Sequence, residues 1–174
     1  MDIIEFFKLS AGQWFSQRTI HNLVSGELQA GKSDVSIDIL AKTDPIVIKL
    51  CEQHQVDPNL VELAGVRITW NGTSNREQAK DVGSTFLIPI PNSDDRHQGK
   101  LLQDRGDGNS QKMTGRYIMG SDDVLTMITE SDGFYAEERL WYLMPNLRLR
   151  TSIIKRTNAF NLASFCSEIR RVTT

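Results

Sequence analysis

Cysteine and histidine are scarce in this 174-residue chain: Cys51 and Cys166 are the two cysteines, and there are three histidines. The two cysteines lie far apart in the chain, and neither sits in a cluster with enough further thiols and histidines to complete a metal-ligand set. A zinc centre and a disulfide framework are therefore excluded as organising features, and two free thiols in a reducing cytosol are expected. No run of eighteen apolar residues occurs, which excludes a membrane-spanning helix. The N-terminus reads MDIIEFF, with an acid at position 2 where a secretory leader would be basic, so the chain is expected to stay in the compartment where it is made, the cytoplasm. Neither sign of charge dominates: 20 Lys and Arg against 22 Asp and Glu leave a formal charge of -2. That balance argues against a general affinity for nucleic acid or acidic membranes. A phosphate-binding P-loop, a dinucleotide glycine fingerprint, a histidine-rich metal cluster and a serine-nucleophile elbow are all missing.

The composition that remains, 39% hydrophobic and 24% charged, is that of an ordinary globule. Its length suits one domain over residues 1–174, able to bury about two thirds of its unfolded surface. Residues 2–11 read as a short helix with Asp2 as N-cap, Glu5 completing a capping box, an apolar stripe of Ile3, Phe6 and Leu9, and Gly12 as the stop. Gly12-Gln13-Trp14 then opens an alternating run to Val24 that carries Arg18 and His21. A second strand follows over Ser33–Ala41, after turn residues Gly26 and Gly31. Asp44-Pro45 starts a helix in the order cap then proline, and Asp57-Pro58 starts a shorter helical turn ending at Gly65. Cys51 and His54 fall in the first of these, His54 on its polar side.

Beyond residue 65 only strands and turns are expected: Val66–Gly72, Ser84–Pro89, Lys100–Asp104, Lys112–Met119, Val124–Glu130, a hairpin within Tyr135–Ile154, and Asn161–Arg171. That makes ten antiparallel strands, which close into a barrel or stack as a sandwich. The two inserted helices favour a barrel with a helical lid over one mouth. Arg105-Gly106-Asp107 reads as a turn, Asp104, Asp107 and Asn109 lack the spacing of a calcium loop, and Asp122-Asp123 is a hairpin tip.

The hairpin is the most informative stretch. Pro145-Asn146 supplies a tight turn, because proline presets the first central position and asparagine tolerates the second. Arg148, Arg150 and Ser152 then share one sheet face. With a two-residue connection the same face also holds Arg139 and Trp141; one residue more exchanges these for Glu138 and Tyr142. The role of that face stays open between two possibilities. It is solvated, with Leu147, Leu149, Thr151 and Ile153 forming the core side, or it lines a hollow and grips a planar anion, since guanidinium pairs with carboxylate in two-toothed fashion and stacks on rings.

The opening IIEFFKLSAGQWFSQRTIHNL, Val66-Arg-Ile-Thr-Trp70-Asn-Gly, Gly115-Arg-Tyr-Ile-Met-Gly, Glu137-Glu-Arg-Leu-Trp-Tyr, Pro145-Asn-Leu-Arg-Leu-Arg-Thr-Ser and Ala163-Ser-Phe-Cys-Ser-Glu-Ile-Arg170 together resemble the S-type phycobiliprotein lyases, the CpcS/CpeS/CpcU family. The likeness runs from residue 3 to residue 170. It implies a mainly-β, ten-stranded antiparallel barrel of the calycin, fatty-acid-binding-protein-like type, which joins phycocyanobilin or phycoerythrobilin to a cysteine of a phycobiliprotein α or β subunit. The resemblance implies the bilin as substrate, no prosthetic group and no metal. It assigns Arg148 and Arg150 to the bilin propionates, with Arg18, Arg139 and Ser152 as further contacts and Trp70 and Trp141 as stacking surface. Glu138 would face the pyrrole N–H groups, and His21 would carry a proton. In an ideal strand Arg18 and His21 point to opposite faces.

Three departures from the family pattern stand out. Arg76-Glu77 replaces a second tryptophan and an aspartate, Asp81-Val82 replaces a His-Glu pair, and Asp107-Gly108-Asn109 replaces Tyr-Ala-Glu. All are expected in loops at the barrel mouth. They suit a U-type partner subunit of a heterodimeric lyase. A homodimer, a non-catalytic bilin chaperone and a purely structural partner also fit the pattern.

Overall fold

In a computed structural model, residues 1–60, 65–74, 80–104, 113–157, 159 and 161–171 are described. The expectations for Arg76-Glu77, for Arg105 to Asn109 and for Lys112 lie outside them. Ten strands follow one another: β1 Gly12–Asn22, β2 Leu28–Leu40, β3 Gly65–Ser74, β4 Lys80–Pro91, β5 Gln98–Asp104, β6 Met113–Met119, β7 Leu125–Ser131, β8 Phe134–Met144, β9 Leu147–Arg156 and β10 Asn161–Arg170. Each pairs antiparallel with its neighbour in sequence, and β1 pairs with β10, so the sheet closes into a barrel and every described strand is paired on both sides.

Helix α1, Ile3–Ser10, begins at the expected capping box, with Asp2 and Glu5 each accepting the other's backbone N–H. Its buried stripe is Ile3, Ile4, Phe6, Phe7 and Ser10, whereas Leu9 is exposed. The helix rotates this way because it plugs the barrel: Phe6 and Phe7 join Trp14, Val35, Ile37, Leu101, Tyr117 and Leu125 in one interior cluster. Trp14, fully buried, donates its indole N–H to the Ser10 carbonyl at 2.9 Å, and Arg170 reaches from the last strand to stack on the Trp14 ring, 4.2 Å from its centre, while donating to the Ala11 carbonyl. One cation thus satisfies an orphan carbonyl at the helix end and an aromatic face together.

Helix α2, Pro45–Gln53, does not cover a mouth. Its Val47, Leu50 and Cys51 pack with Leu40, Ile88 and Leu102 in a second, separate cluster. Ile88 and Leu102 alternate with the inward Leu87 and Leu101, so α2 lies on the outer wall. The expected lid is thereby corrected: an apolar outer stripe on β4 and β5 holds the helix to the side of the barrel. The second helical signal yields a single turn, Pro58–Leu60.

Strands outrun their expected limits where neighbours demand pairing. Gly31 is a mid-strand residue of β2, opposite Arg18, and β4 starts four residues before Ser84, carrying Asp81 and Gly83 inside the ladder. Because the outer cluster contains no tryptophan, Leu50→Ala is expected to lower stability by about 2–4 kcal/mol while native tryptophan emission is unchanged, both read from one urea titration followed by fluorescence.

Candidate functional site

The central hairpin has the expected Pro145-Asn146 turn but also a β-bulge. Tyr142 pairs with Arg148 and Met144 with Leu147, leaving Leu143 without an opposite residue. One unpaired residue reverses the face of everything before it. The inward row on β8 is therefore Ala136, Glu138, Leu140 and Tyr142, facing Arg148, Arg150, Ser152 and Ile154 on β9. Arg139 and Trp141, expected with the arginines under a plain two-residue connection, pair with Thr151 and Leu149 on the outer face. They are removed from the site by that bulge.

On β1 the inward residues are Trp14, Ser16 and Arg18, and His21 is exposed on the opposite face. Of the pair Arg18 and His21, expected on opposite faces, His21 is the one outside, so the proton-carrier role suggested for it has no support from the cavity geometry. Arg18 and Trp70 do face inward, and Trp70 lines the cavity.

That cavity measures about 530 Å³, within the range of about 300–1,000 Å³ usual for small-molecule sites. One side is apolar, built from Phe7, Val35, Ile37, Ile68 and Leu87. The other carries the charges: Glu138, Arg148, Arg150 and Glu168. Glu168 on β10 organises them. Arg148, 4% exposed, donates both Nε and Nη2 to Glu168 Oε2, at 2.7 and 2.6 Å, and its guanidinium lies 4.9 Å from the centre of the Trp14 ring. Arg150 Nη2 lies 3.3 Å from Glu168 Oε1, and Arg150 Nη1 donates to Glu138 Oε1 at 3.3 Å. The Arg150 side chain is 27% exposed, and its buried Nε has no hydrogen-bond partner among the described residues. It is the guanidinium with capacity to spare. Cys166 sits beside it, with Sγ 3.6 Å from Arg150 Nη2. Ser152, opposite Glu138, shares a hydrogen bond of 2.5 Å with Ser164 on β10.

Burial by itself would raise the Glu168 carboxyl, but the adjacent Arg150 and Arg148 guanidiniums outweigh it and hold the group below the usual glutamate value. Burial would likewise lower Arg150; Glu168 and then Glu138 reverse this and raise it, so it is cationic at any working pH. The Cys166 thiol is pushed up by burial, a shift that Arg150 only partly offsets, and it stays protonated near neutrality. At the far end, Arg18 is ion-paired with Asp81, and Asp81 also accepts the Trp70 indole N–H at 3.0 Å.

Glu168 and Asp81 join the site without having been expected there. A signal for Glu168 is present in the sequence: on β10 the set Ser164, Cys166, Glu168 and Arg170 alternates with Phe165 and Ile169, so polarity marks the inward face, the reverse of a usual core strand. Local signals put Asp81 in a loop, where a residue has no defined face.

Fold and charges together define a calycin-type barrel enclosing an amphipathic hollow, a class suited to a flat carboxylate-bearing ligand. The family model described as CpeS-like protein matches residues 2–171, and the chain belongs to that family. It is 70% identical to chromophore lyase CpcS/CpeS 1 of Trichodesmium erythraeum, over 99% of both chains. It is 50% identical to chromophore lyase CpcS/CpeS of Thermosynechococcus vestitus, covering 98% of this chain and 93% of that one. The S-type phycobiliprotein lyase CPES of Guillardia theta superposes with a TM-score of 0.88 at 31% identity, over 100% of this chain and 95% of that one. The expected family and barrel are thus both observed.

Glu168 is depressed on folding, so the stability it contributes is present above the ordinary glutamate pKa and is lost as the pH falls through the lower folded value. Glu168→Gln leaves Arg148 buried without an anion and Arg150 with one fewer, and is expected to cost about 3–5 kcal/mol at pH 7. The loss should shrink below about pH 4.3, where the unfolded wild-type chain takes up a proton that the folded carboxyl accepts only at lower pH. Urea titrations of both proteins across that range measure it.

Proposed function

We propose that this protein is a phycobiliprotein lyase: it holds an open-chain tetrapyrrole, phycocyanobilin or phycoerythrobilin, and directs its thioether attachment to a cysteine of a phycobiliprotein α or β subunit. One observation carries this function, the partly exposed Arg150 guanidinium set beside Glu138 in a partly apolar hollow. A bilin offers propionates to the guanidinium, pyrrole N–H groups to the carboxylate and flat hydrocarbon to Trp70, Ile68 and Met127. The acceptor thiol adds across the exocyclic ethylidene double bond, forming one C–S bond. The thiol proton passes to the tetrapyrrole, and no group leaves. The barrel's contribution is orientation, which needs no covalent intermediate on its own residues. The bilin is substrate, and the scheme requires no prosthetic group and no metal. Among the described residues there is no cluster of metal-ligating side chains and no helix long and apolar enough to cross a membrane. We place the reaction in the cytoplasm, or the stroma of a plastid.

Within the hollow Arg148 is committed to Glu168, so of the two arginines Arg150 is the one placed to receive a propionate. Pairing with a second barrel, identical or from a related lyase subunit, is supported by the exposed apolar outer strip of Ile153, Phe165 and Ile169.

The test is transfer of phycocyanobilin to an apo-phycobiliprotein, run with this protein alone and with a second family member added. Covalent product with the protein alone establishes the lyase. Product only in the mixture establishes a partner subunit, and a bilin absorption shift without product establishes a chaperone. Arg150→Ala is expected to weaken bilin binding roughly tenfold to a hundredfold, the loss of a charged hydrogen bond of about 1.5–3 kcal/mol, with near-UV circular dichroism unchanged. Arg139→Ala and Trp141→Ala, on the outer wall, should leave the same absorbance titration unmoved.

A further inference from the structure

Three guanidiniums of the inner wall are already ion-paired: Arg18 to Asp81, Arg148 to Glu168, and Arg150 to both Glu138 and Glu168. A ligand carboxylate that is to reach one of these three cations competes with the carboxylate already paired to it. The three arginines differ sharply in how easily that happens. Arg148 is sealed, its side chain and that of Glu168 being 5% and 2% exposed. Arg150 is held by two carboxylates. Among the described residues Arg18 has Asp81 alone, and both members of that pair reach solvent, at 32% and 31% exposure. An ion pair so exposed is held weakly. Arg18 stands four residues beyond Trp14 along β1, roughly 13 Å from the plugged end, and its partner Asp81 bonds Trp70, which lines the cavity.

Asp81 is also built to be left behind. Its Oδ1 accepts the Trp70 indole N–H at 3.0 Å, while the ion pair uses Oδ2. When Arg18 departs, the carboxylate keeps a donor and Trp70 keeps its tether. The indole itself is bedded on β4 at Gly83, directly opposite Trp70 in the ladder, where a Cβ would collide with the six-membered ring. Trp70 therefore stays in place through the exchange.

From this arrangement we infer that Asp81 is a positioning residue acting as an exchangeable latch: it occupies Arg18 in the empty protein and gives Arg18 up to a carboxylate of the entering ligand. The inference rests on the proposed bilin function. No bond is made or broken in the exchange; one ion pair replaces another. Asp81 thereby opposes binding of carboxylate ligands and at the same time fixes the indole wall that receives them.

The discriminating variant is Asp81→Asn, which keeps an oxygen for the Trp70 N–H and removes the competing charge. Binding of phycocyanobilin and of its dimethyl ester, followed by absorbance, is compared in the wild type, Asp81→Asn, Arg18→Gln and the double variant. Expected are about tenfold tighter binding of the free acid by Asp81→Asn, no change for the ester, and no gain when Arg18→Gln is also present. Near-UV circular dichroism and tryptophan emission confirm that the indole has not moved. Unchanged or weaker binding of the free acid by Asp81→Asn, or an equal gain for the ester, overturns the latch while leaving the lyase function intact. Failure of the wild type to bind either compound overturns both.

Discussion

A single buried carboxylate holds the polar half of this barrel together. Glu168 on β10 accepts two bonds from Arg148 and stands 3.3 Å from Arg150, both on the adjacent β9. Taking three charged groups out of water is expensive, and their mutual attraction offsets the cost only with such close geometry. The arrangement is held from outside the triad as well. Ser16 stands directly opposite Glu168 in the ladder, the Trp14 ring lies under Arg148, and Glu138 accepts from Arg150. Remove the carboxylate and two guanidiniums remain in the wall, the deeper one with its charge uncompensated.

That requirement explains why the barrel stays hollow. Along β9 and β10 the inward positions are Arg148, Arg150, Ser152, Ser164, Cys166 and Glu168, while Leu149, Ile153, Phe165 and Ile169 face out. Aliphatic side chains that would otherwise meet in the middle are on the outside. From the opposite wall Val35, Ile37, Ile68 and Leu87 point in, but they meet charges they cannot pack against and leave about 530 Å³ between. The result is a chamber apolar on one side and ionic on the other, the polarity pattern of a flat tetrapyrrole with propionates along one edge. The plug of α1, with Phe7 in the cavity lining, closes one end of the barrel, and the Arg18–Asp81 pair lies further along β1, joined to the lining through Trp70.

Much of this was legible from residue order. The capping box of α1, the proline-opened α2 and the turn at Pro145-Asn146 appear where local chemistry placed them, and ten strands follow in the expected order with β2 and β4 starting earlier than expected, because these signals depend on residues within a few positions of one another. The site was legible in part. Arg148, Arg150, Ser152, Glu138, Arg18 and Trp70 do share the interior, while His21, Arg139 and Trp141 do not. The errors have separate causes. Leu143 is unpaired, which swaps the β8 face; His21 obeys alternation and points out; and α2 found its apolar partner on the outer wall.

The order of residues alone determined the number of strands, the turns between them and the row Arg148, Arg150, Ser152 on one face, since a pleated strand alternates whatever surrounds it. It could not decide whether that row looked inward, because Leu147 to Ile153 made an equally good core face. Closure decided it. Pairing β10 with both β9 and β1 brought Glu168 beside two arginines and Ser16, and only inside the barrel do those charges meet their partners. Tertiary structure likewise placed Asp81, which long-range pairing with β3 drew out of a supposed loop and set against Arg18, 63 positions away in the chain.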